Sequence, residues 1–297
     1  ANLTKYAQIE EGLTSASVLA AFSNISGIYS YTNDIGSDKE DWDIHKVALD
    51  AYNNDDYWME NGIESYDEDT VTRTYTLKKN TKIEPEDADW AIQSYSEDPT
   101  SHFVLDLNNY DLSLIANPGR NQTIGIDIDS GAGPIDAVIK NIGNFIIQDW
   151  TTGINLASND NKAFLHIMNA SDNPIHIIGS NTAETGIRVD TAVADATLQI
   201  DGTVDITGYK NGIRVGSSVD GVSARAIIGG GKIVASENLI STTQYSYNTL
   251  NYVDINIQKD SKGNVIGTGT NETILEGNIA YAAQSGGAVV NIGLGTA

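Results

Sequence analysis

A short phrase of alternating apolar and polar residues returns four times along the chain, and each copy begins with Gly-Ile. The copies span residues 125–128, 153–156, 186–189 and 212–215, and a weaker fifth copy spans 238–240. Their first residues are separated by 28, 33, 26 and 26 residues. Side chains that alternate in this way have the period of a β-strand, with one face buried and the other exposed.

Two further short apolar strands lie between successive copies, for example at 137–140 and 145–148. Three strands in each period of 26–33 residues predict a solenoid made only of strands. The predicted fold is therefore mainly β, a right-handed three-faced parallel β-helix over residues 101–297. An antiparallel sandwich is the alternative, but a sandwich does not need the same phrase at every third strand.

The polar position of each phrase is predicted to face outward. In successive copies it is occupied by Asp127, Asn155, Arg188 and Arg214. Because parallel coils stack copy upon copy, we expect these four side chains to form a column on the surface. They are candidate ligand-binding residues.

Residues 1–100 differ in composition and are richer in acidic and aromatic residues. Apolar spacing predicts helices near 18–25, 44–51 and 85–95, and alternation predicts a strand over 71–77. This segment is predicted to be a small α+β domain with one of two roles. It caps the coil with its aromatic residues in a core, or it is a recognition module. In the second case Trp42, Tyr57, Trp58 and Trp90 present stacking faces to a ligand.

The end of the chain is expected to continue the coil. A strand is predicted at 252–257, a hairpin within 259–271 and a last strand at 288–292. Because no capping element follows this last strand, we expect the natural protein to extend beyond Ala297.

The net charge of −23 argues against nucleic acid and anionic membrane surfaces as partners. No apolar run approaches the roughly 20 residues that cross a bilayer, so no membrane insertion by this chain is expected. The chain has no cysteine, which excludes disulfides, thiolate ligands and thiol nucleophiles.

Catalytic and metal-binding patterns are weak. No Gly-x-Ser-x-Gly elbow occurs, and the four histidines lack a metal-ligand spacing. The acidic clusters at 34–43 and 67–69 do not match a calcium-binding loop, so no metal and no cofactor are predicted. The alternative is an enzyme: a polysaccharide lyase that uses Arg188 and Arg214 with nearby Asp127, Asp190 and Asp201, or a glycosidase, which would instead need two carboxylates spaced across a cleft. Stacked salt bridges explain those residues more simply, and no enzyme is predicted.

Residues 103–297 are rich in Asn, Gly and Thr, contain no cysteine and are built on Gly-Ile-x-Val turns. In these features they resemble the passenger domains of monomeric type V autotransporter adhesins of Gram-negative bacteria. The resemblance implies a precursor with a signal peptide and an outer-membrane barrel, and a passenger displayed at the cell surface. It further implies attachment to a host glycan or protein, or to another copy of the chain in biofilm formation. A purely structural stalk is a more distant alternative.

Overall fold

A computed structural model describes residues 42–51, 55–60, 64–67, 72–95, 101–117, 123–170, 173–244, 250–283 and 287–293. The chain divides into two units, residues 1–42 and residues 43–297. All of the strands and the helix reported below belong to the second unit. The helix predicted near 18–25 lies outside the described residues.

The second unit is a β-solenoid in which parallel strands from successive coils form three ladders. Ladder I contains short strands and the first parts of four long ones. Its members are β1 (Asp43–His45), β5 (Thr81–Ile83), β8 (Leu112–Ile115), β11 (Phe145–Gln148), β14 (Ile175–Thr191), β16 (Val204–Ser217), β18 (Gly231–Gln244) and β22 (Thr273–Ala283).

Ladder II carries the repeated phrase and follows ladder I in each coil. It uses four separate strands and the later parts of β14, β16, β18 and β22. The separate strands are β2 (Leu49–Ala51), β6 (Trp90–Tyr95), β9 (Ile124–Ser130) and β12 (Thr152–Ser158).

Ladder III completes each coil as a sheet of its own. Its strands are β4 (Thr72–Thr76), β7 (Ser101–Asp106), β10 (Ile135–Lys140), β13 (Ala163–Met168), β15 (Ala196–Ile200), β17 (Ala224–Ile228), β19 (Leu250–Ile255) and β23 (Gly287–Ile292).

Three elements interrupt the coil. Helix α1 (Asp55–Glu60) and strand β3 (Glu64–Asp67) precede β4, and β3 pairs with β4 in an antiparallel arrangement. Strands β20 (Ile257–Lys259) and β21 (Val265–Thr268) form the antiparallel hairpin predicted within 259–271. Among the described residues, no helix combines the length and hydropathy that crossing a membrane requires.

The core consists of aliphatic columns, as the phrase predicts. In ladder II, six isoleucines occupy one register position on successive coils, and each is fully buried. The column removes apolar surface from water at every coil, which is the main favourable term in folding. Its members after Ile92 are Ile126, Ile154, Ile187, Ile213 and Ile240.

In the four Gly-Ile copies, the glycine lies at the corner between ladders I and II, where adjacent coils approach closely. A Cβ atom on Gly153 would lie 2.4 Å from Cγ2 of Ile177 and 2.6 Å from the carbonyl oxygen of Gly186. The equivalent Cβ on Gly186 would lie 2.4 Å from Cγ2 of Ile206 and 2.8 Å from the oxygen of Gly212. At these coils a Cβ atom would force the neighbouring backbone to shift, which explains why the four Gly-Ile copies keep glycine, whereas Ala91 and Leu239 precede the isoleucines of two other coils.

Parallel pairing begins at Asp43, well before the predicted domain boundary at residue 100. Ladder II already includes β2 and β6, and ladder III includes β4, where a strand was predicted. The helices predicted near 44–51 and 85–95 are wrong, because those residues form β1, β2 and β6. Their three- to six-residue strands are too short to show a clear period of two, so tertiary pairing overrides the apparent helical spacing.

Candidate functional site

The outward face of ladder II contains a groove that includes the predicted column. Register pairing stacks Asp127, Asn155, Arg188 and Arg214 on four successive coils, as expected from the sequence. All four side chains line the groove, whose volume is about 320 Å³. The Nδ2 of Asn155 donates a hydrogen bond of 2.7 Å to Oδ1 of Asp127.

A second column runs beside the first, two residues further along each strand. It places Asp129, Ala157, Asp190 and Gly216 at one register position. Oδ2 of Asp190 pairs with Nε of Arg188 at 2.6 Å. Hydroxyl groups of Thr191, Ser217 and Ser218 close the same end of the groove.

The two carboxyl groups on β9 are held in an unusual state. Burial raises the pKa of Asp127, although hydrogen bonds from Asn155 and Gln93 and the charge of Arg188 oppose the shift. Burial, and then the neighbouring charge of Asp127, raise the pKa of Asp129 from 3.8 to about 6. The amide of Asn159 donates to Oδ2 of Asp129 and opposes that shift. Such perturbed carboxyls in a concave site are typical of functional sites.

Four polar atoms around the groove are buried and have no hydrogen-bond partner among the described residues. They are Oδ1 of Asp129, Oδ1 of Asn155, Nε of Arg214 and Oγ of Ser217. Buried polar groups are normally paired, because leaving one unpaired costs about 1–3 kcal/mol. These atoms lie beneath the surface of the groove, and what the groove presents to an incoming molecule is the partly exposed side chains of Asp127, Asp129 and Arg214.

The chemistry of the groove is that of polar recognition. It combines carboxyl, amide, guanidinium and hydroxyl groups, and no aromatic ring occurs among its described lining residues. A ligand rich in hydroxyl groups would satisfy these donors and acceptors by hydrogen bonding. Within the described part of the chain, no cluster of three or more His, Asp or Glu side chains could hold a metal ion.

The predicted aromatic residues do not reach this groove. Trp58 on α1 is fully buried and its Nε1 donates to the carbonyl of Ala48, so it packs in the core and presents no stacking face. Tyr57 packs edge-on against Trp58, and its hydroxyl lies 2.8 Å from Nδ1 of His45. Trp42 and Trp90 are partly exposed, but neither lines the groove.

The sequence prediction missed Asp129 and Asn159, and it considered Asp190 only for a lyase. The signal was present in the alternation Asp127-Ile128-Asp129, which places both carboxyls on the outward face of one strand. What the alternation does not show is burial, because Asn159 and Ala192, which follow the ends of β12 and β14, add to the walls of the groove.

Comparisons with family models, with curated proteins and with solved structures found no match for this chain.

Proposed function

We propose that this protein is a cell-surface adhesin and that the groove on ladder II binds a host glycan. The polar lining of the groove, with partly exposed carboxyl groups of Asp127 and Asp129 beside the guanidinium of Arg214, carries the proposal. A saccharide hydroxyl both donates and accepts, so a single sugar chain can satisfy acceptors and donors that lie side by side. The proposal includes display outside the cell, as in the passengers that the repeat resembles, and a right-handed winding of the coil, the hand that parallel crossovers favour.

A glycan fits the groove better than a protein surface or a second copy of the chain. Protein interfaces use buried aromatic anchors, and the described lining of the groove has none. Two copies meeting through these faces would also join grooves in which three carboxyls outnumber two guanidiniums, on chains of charge −23, so net repulsion opposes the pairing.

The test is retention of beads coated with the intact chain on printed glycans and matrix proteins. We expect binding to a subset of glycans, reduced about tenfold by Arg214→Ala, since a hydrogen bond to a charged group is lost. Arg225→Ala is the matched control: this arginine lies on ladder III, with its guanidinium 4.4 Å from the ring centroid of Tyr252. Equal loss in both variants, or no retention on any glycan, would contradict the proposal. Clumping of coated beads in buffer alone would identify a second copy as the partner.

Glycoside hydrolysis is a second candidate function for the same groove. It is favoured by Asp129, whose pKa of about 6 suits a general acid near neutral pH, beside Asp127 on the same strand. Their Cα atoms are about 6.6 Å apart at two residues of strand rise. Both side chains lie on the outward face of β9 and line the same groove, so the two carboxyl groups face one bound sugar.

In that reaction Asp129 gives its proton to the glycosidic oxygen as the C–O bond breaks, and water adds to the sugar carbon and passes a proton to Asp127. A lyase is less well supported, because the guanidinium of Arg188 is ion-paired with Asp190 and does not act as a base. Release of reducing ends by the wild type, abolished in Asp129→Asn while bead retention persists, would establish hydrolysis. Retention without any cleavage would leave the adhesin as the sole function of the groove.

A further inference from the structure

A second cavity lies on ladder III, outside the groove. Its floor is formed by the first residues of β7, β10 and β13, and its rim by Pro134, Lys162 and Asp195 from the corners that precede three strands. The volume is about 300 Å³, at the small end of the range for ligand sites. It shares no lining residue with the groove.

A phenyl ring forms one wall of this cavity. Phe164 occupies the outward position of β13, between Asp136 of the preceding coil and Thr197 of the following one. The ring is partly exposed, and it is held in place by a tilted contact with His166 at a centroid distance of 6.0 Å. His166 is itself fixed by a hydrogen bond of 2.7 Å to Asp201. The aromatic face is therefore rigid and directed by its neighbours.

Polar groups surround the ring on the other sides of the cavity. Oδ1 of Asp136 is buried without a hydrogen-bond partner among the described residues, while Oδ2 lies 3.6 Å from Nδ1 of His102. Oδ1 of Asp195 accepts from the backbone N–H of Ser223 at 2.8 Å, which orients that carboxylate. Lys162 and Thr197 add an ammonium and a hydroxyl donor to the lining.

We infer that this cavity binds one pyranose unit of a saccharide, stacked on Phe164 and hydrogen-bonded by Asp136 and Asp195. A pyranose has an apolar C–H face, which suits a phenyl ring, and equatorial hydroxyls, which suit carboxylate acceptors. An aromatic wall with polar groups converging on it is the usual composition of a small-ligand site. The inference does not depend on the groove, and it gives the coil a second, chemically different contact for sugar.

The test uses the intact chain and a panel of methyl α- and β-hexopyranosides at millimolar concentration, measured by saturation-transfer NMR. At least one glycoside is expected to receive saturation most strongly at its ring C–H protons. Phe164→Leu, which keeps an apolar side chain but removes the ring, is expected to weaken binding about tenfold. Asp136→Asn is expected to weaken it as well.

Two controls separate this site from other surfaces. Tyr252→Ala removes an aromatic side chain at the same register position three coils further on, and Arg214→Ala alters the groove. Tyr252→Ala is expected to bind as the wild type does, and Arg214→Ala is expected to keep the part of the saturation transfer that Phe164→Leu loses. The inference is overturned if binding persists in Phe164→Leu, or if no glycoside of the panel binds. Binding lost in Arg214→Ala but kept in Phe164→Leu also overturns it, and leaves the proposed function of the groove intact.

Discussion

Replacing Asp129 by asparagine should stabilise the protein at neutral and alkaline pH. The carboxyl has a pKa of about 6 in the fold and 3.8 as its unperturbed value. Asparagine keeps an oxygen that can accept from Asn159 but carries no charge to desolvate. The variant is therefore expected to lose the electrostatic penalty and keep the local hydrogen bond.

The pH window follows from the direction of the shift. Below about 3.8 the carboxyl is protonated in both states, so it adds no pH dependence. Between 3.8 and about 6 the unfolded chain releases the proton while the fold retains it, so the wild type loses stability as the pH rises. Above about 6 the difference is constant.

The magnitude is limited by solvent screening. A shift of about two units corresponds to roughly 3 kcal/mol at 1.36 kcal/mol per unit. Because Asp129 is only partly buried, we expect about 1–2 kcal/mol of this in practice. For a unit of this size, that is a rise in Tm of roughly 2–8 °C at pH 8.

The assay is urea and thermal unfolding of both proteins from pH 4 to pH 8, followed by far-UV circular dichroism. The stability difference should grow between pH 4 and about pH 6 and then level off. Asp190→Asn is the matched control. Because the carboxylate of Asp190 is paired with Arg188, removing its charge should not stabilise the protein at any pH. A stability difference between the two proteins that does not change with pH would refute the raised pKa of Asp129.

Three further predictions concern the coil. Gly153→Ala should lower the free energy of unfolding by about 1–3 kcal/mol, measured by urea titration, because the added methyl group overpacks the corner. Gly267→Ala is the control and should be near neutral, because its Cβ would meet nothing closer than 3.6 Å. Ile187→Ala should cost about 2–5 kcal/mol by leaving a cavity in the isoleucine column, and an unchanged urea midpoint would contradict the stacked core. Burial lowers the pKa of His45, so the midpoint of its NMR titration should lie below 6.5. The contribution of His45 to stability should decline as the pH falls through this lowered pKa.

The repeated phrase predicted the coil because its two fixed positions have strict physical requirements. The glycine must allow the next coil to pass within van der Waals contact of its Cα, and the isoleucine must fill the space between coils. A sequence that meets both requirements at regular intervals is expected to stack coil upon coil in register. The outward column of polar side chains could therefore be predicted from the sequence alone.

The same reasoning failed where strands are short. In β1, Ile44 is 55% exposed while His45 is buried against Trp58, the reverse of what hydropathy predicts. The partner strand β5 fixes this register through parallel pairing, and that pairing joins residues 38 positions apart. The local pattern of apolar residues contains no information about such a long-range contact, so helices were predicted for these residues.

The variation at the third position of the phrase is the best argument that the groove has a function. A column that only tied coils together would be well served by stacked amides, which hydrogen-bond to one another along a sheet. Instead Arg188 stacks directly on Arg214, and Asp127 lies beside Asp129 on one strand. Like charges at these spacings oppose folding, and the pairing of Arg188 with Asp190 offsets only part of that cost. A chain that keeps its glycines and isoleucines constant while placing unfavourable charges between them is consistent with a scaffold that trades stability for a binding site.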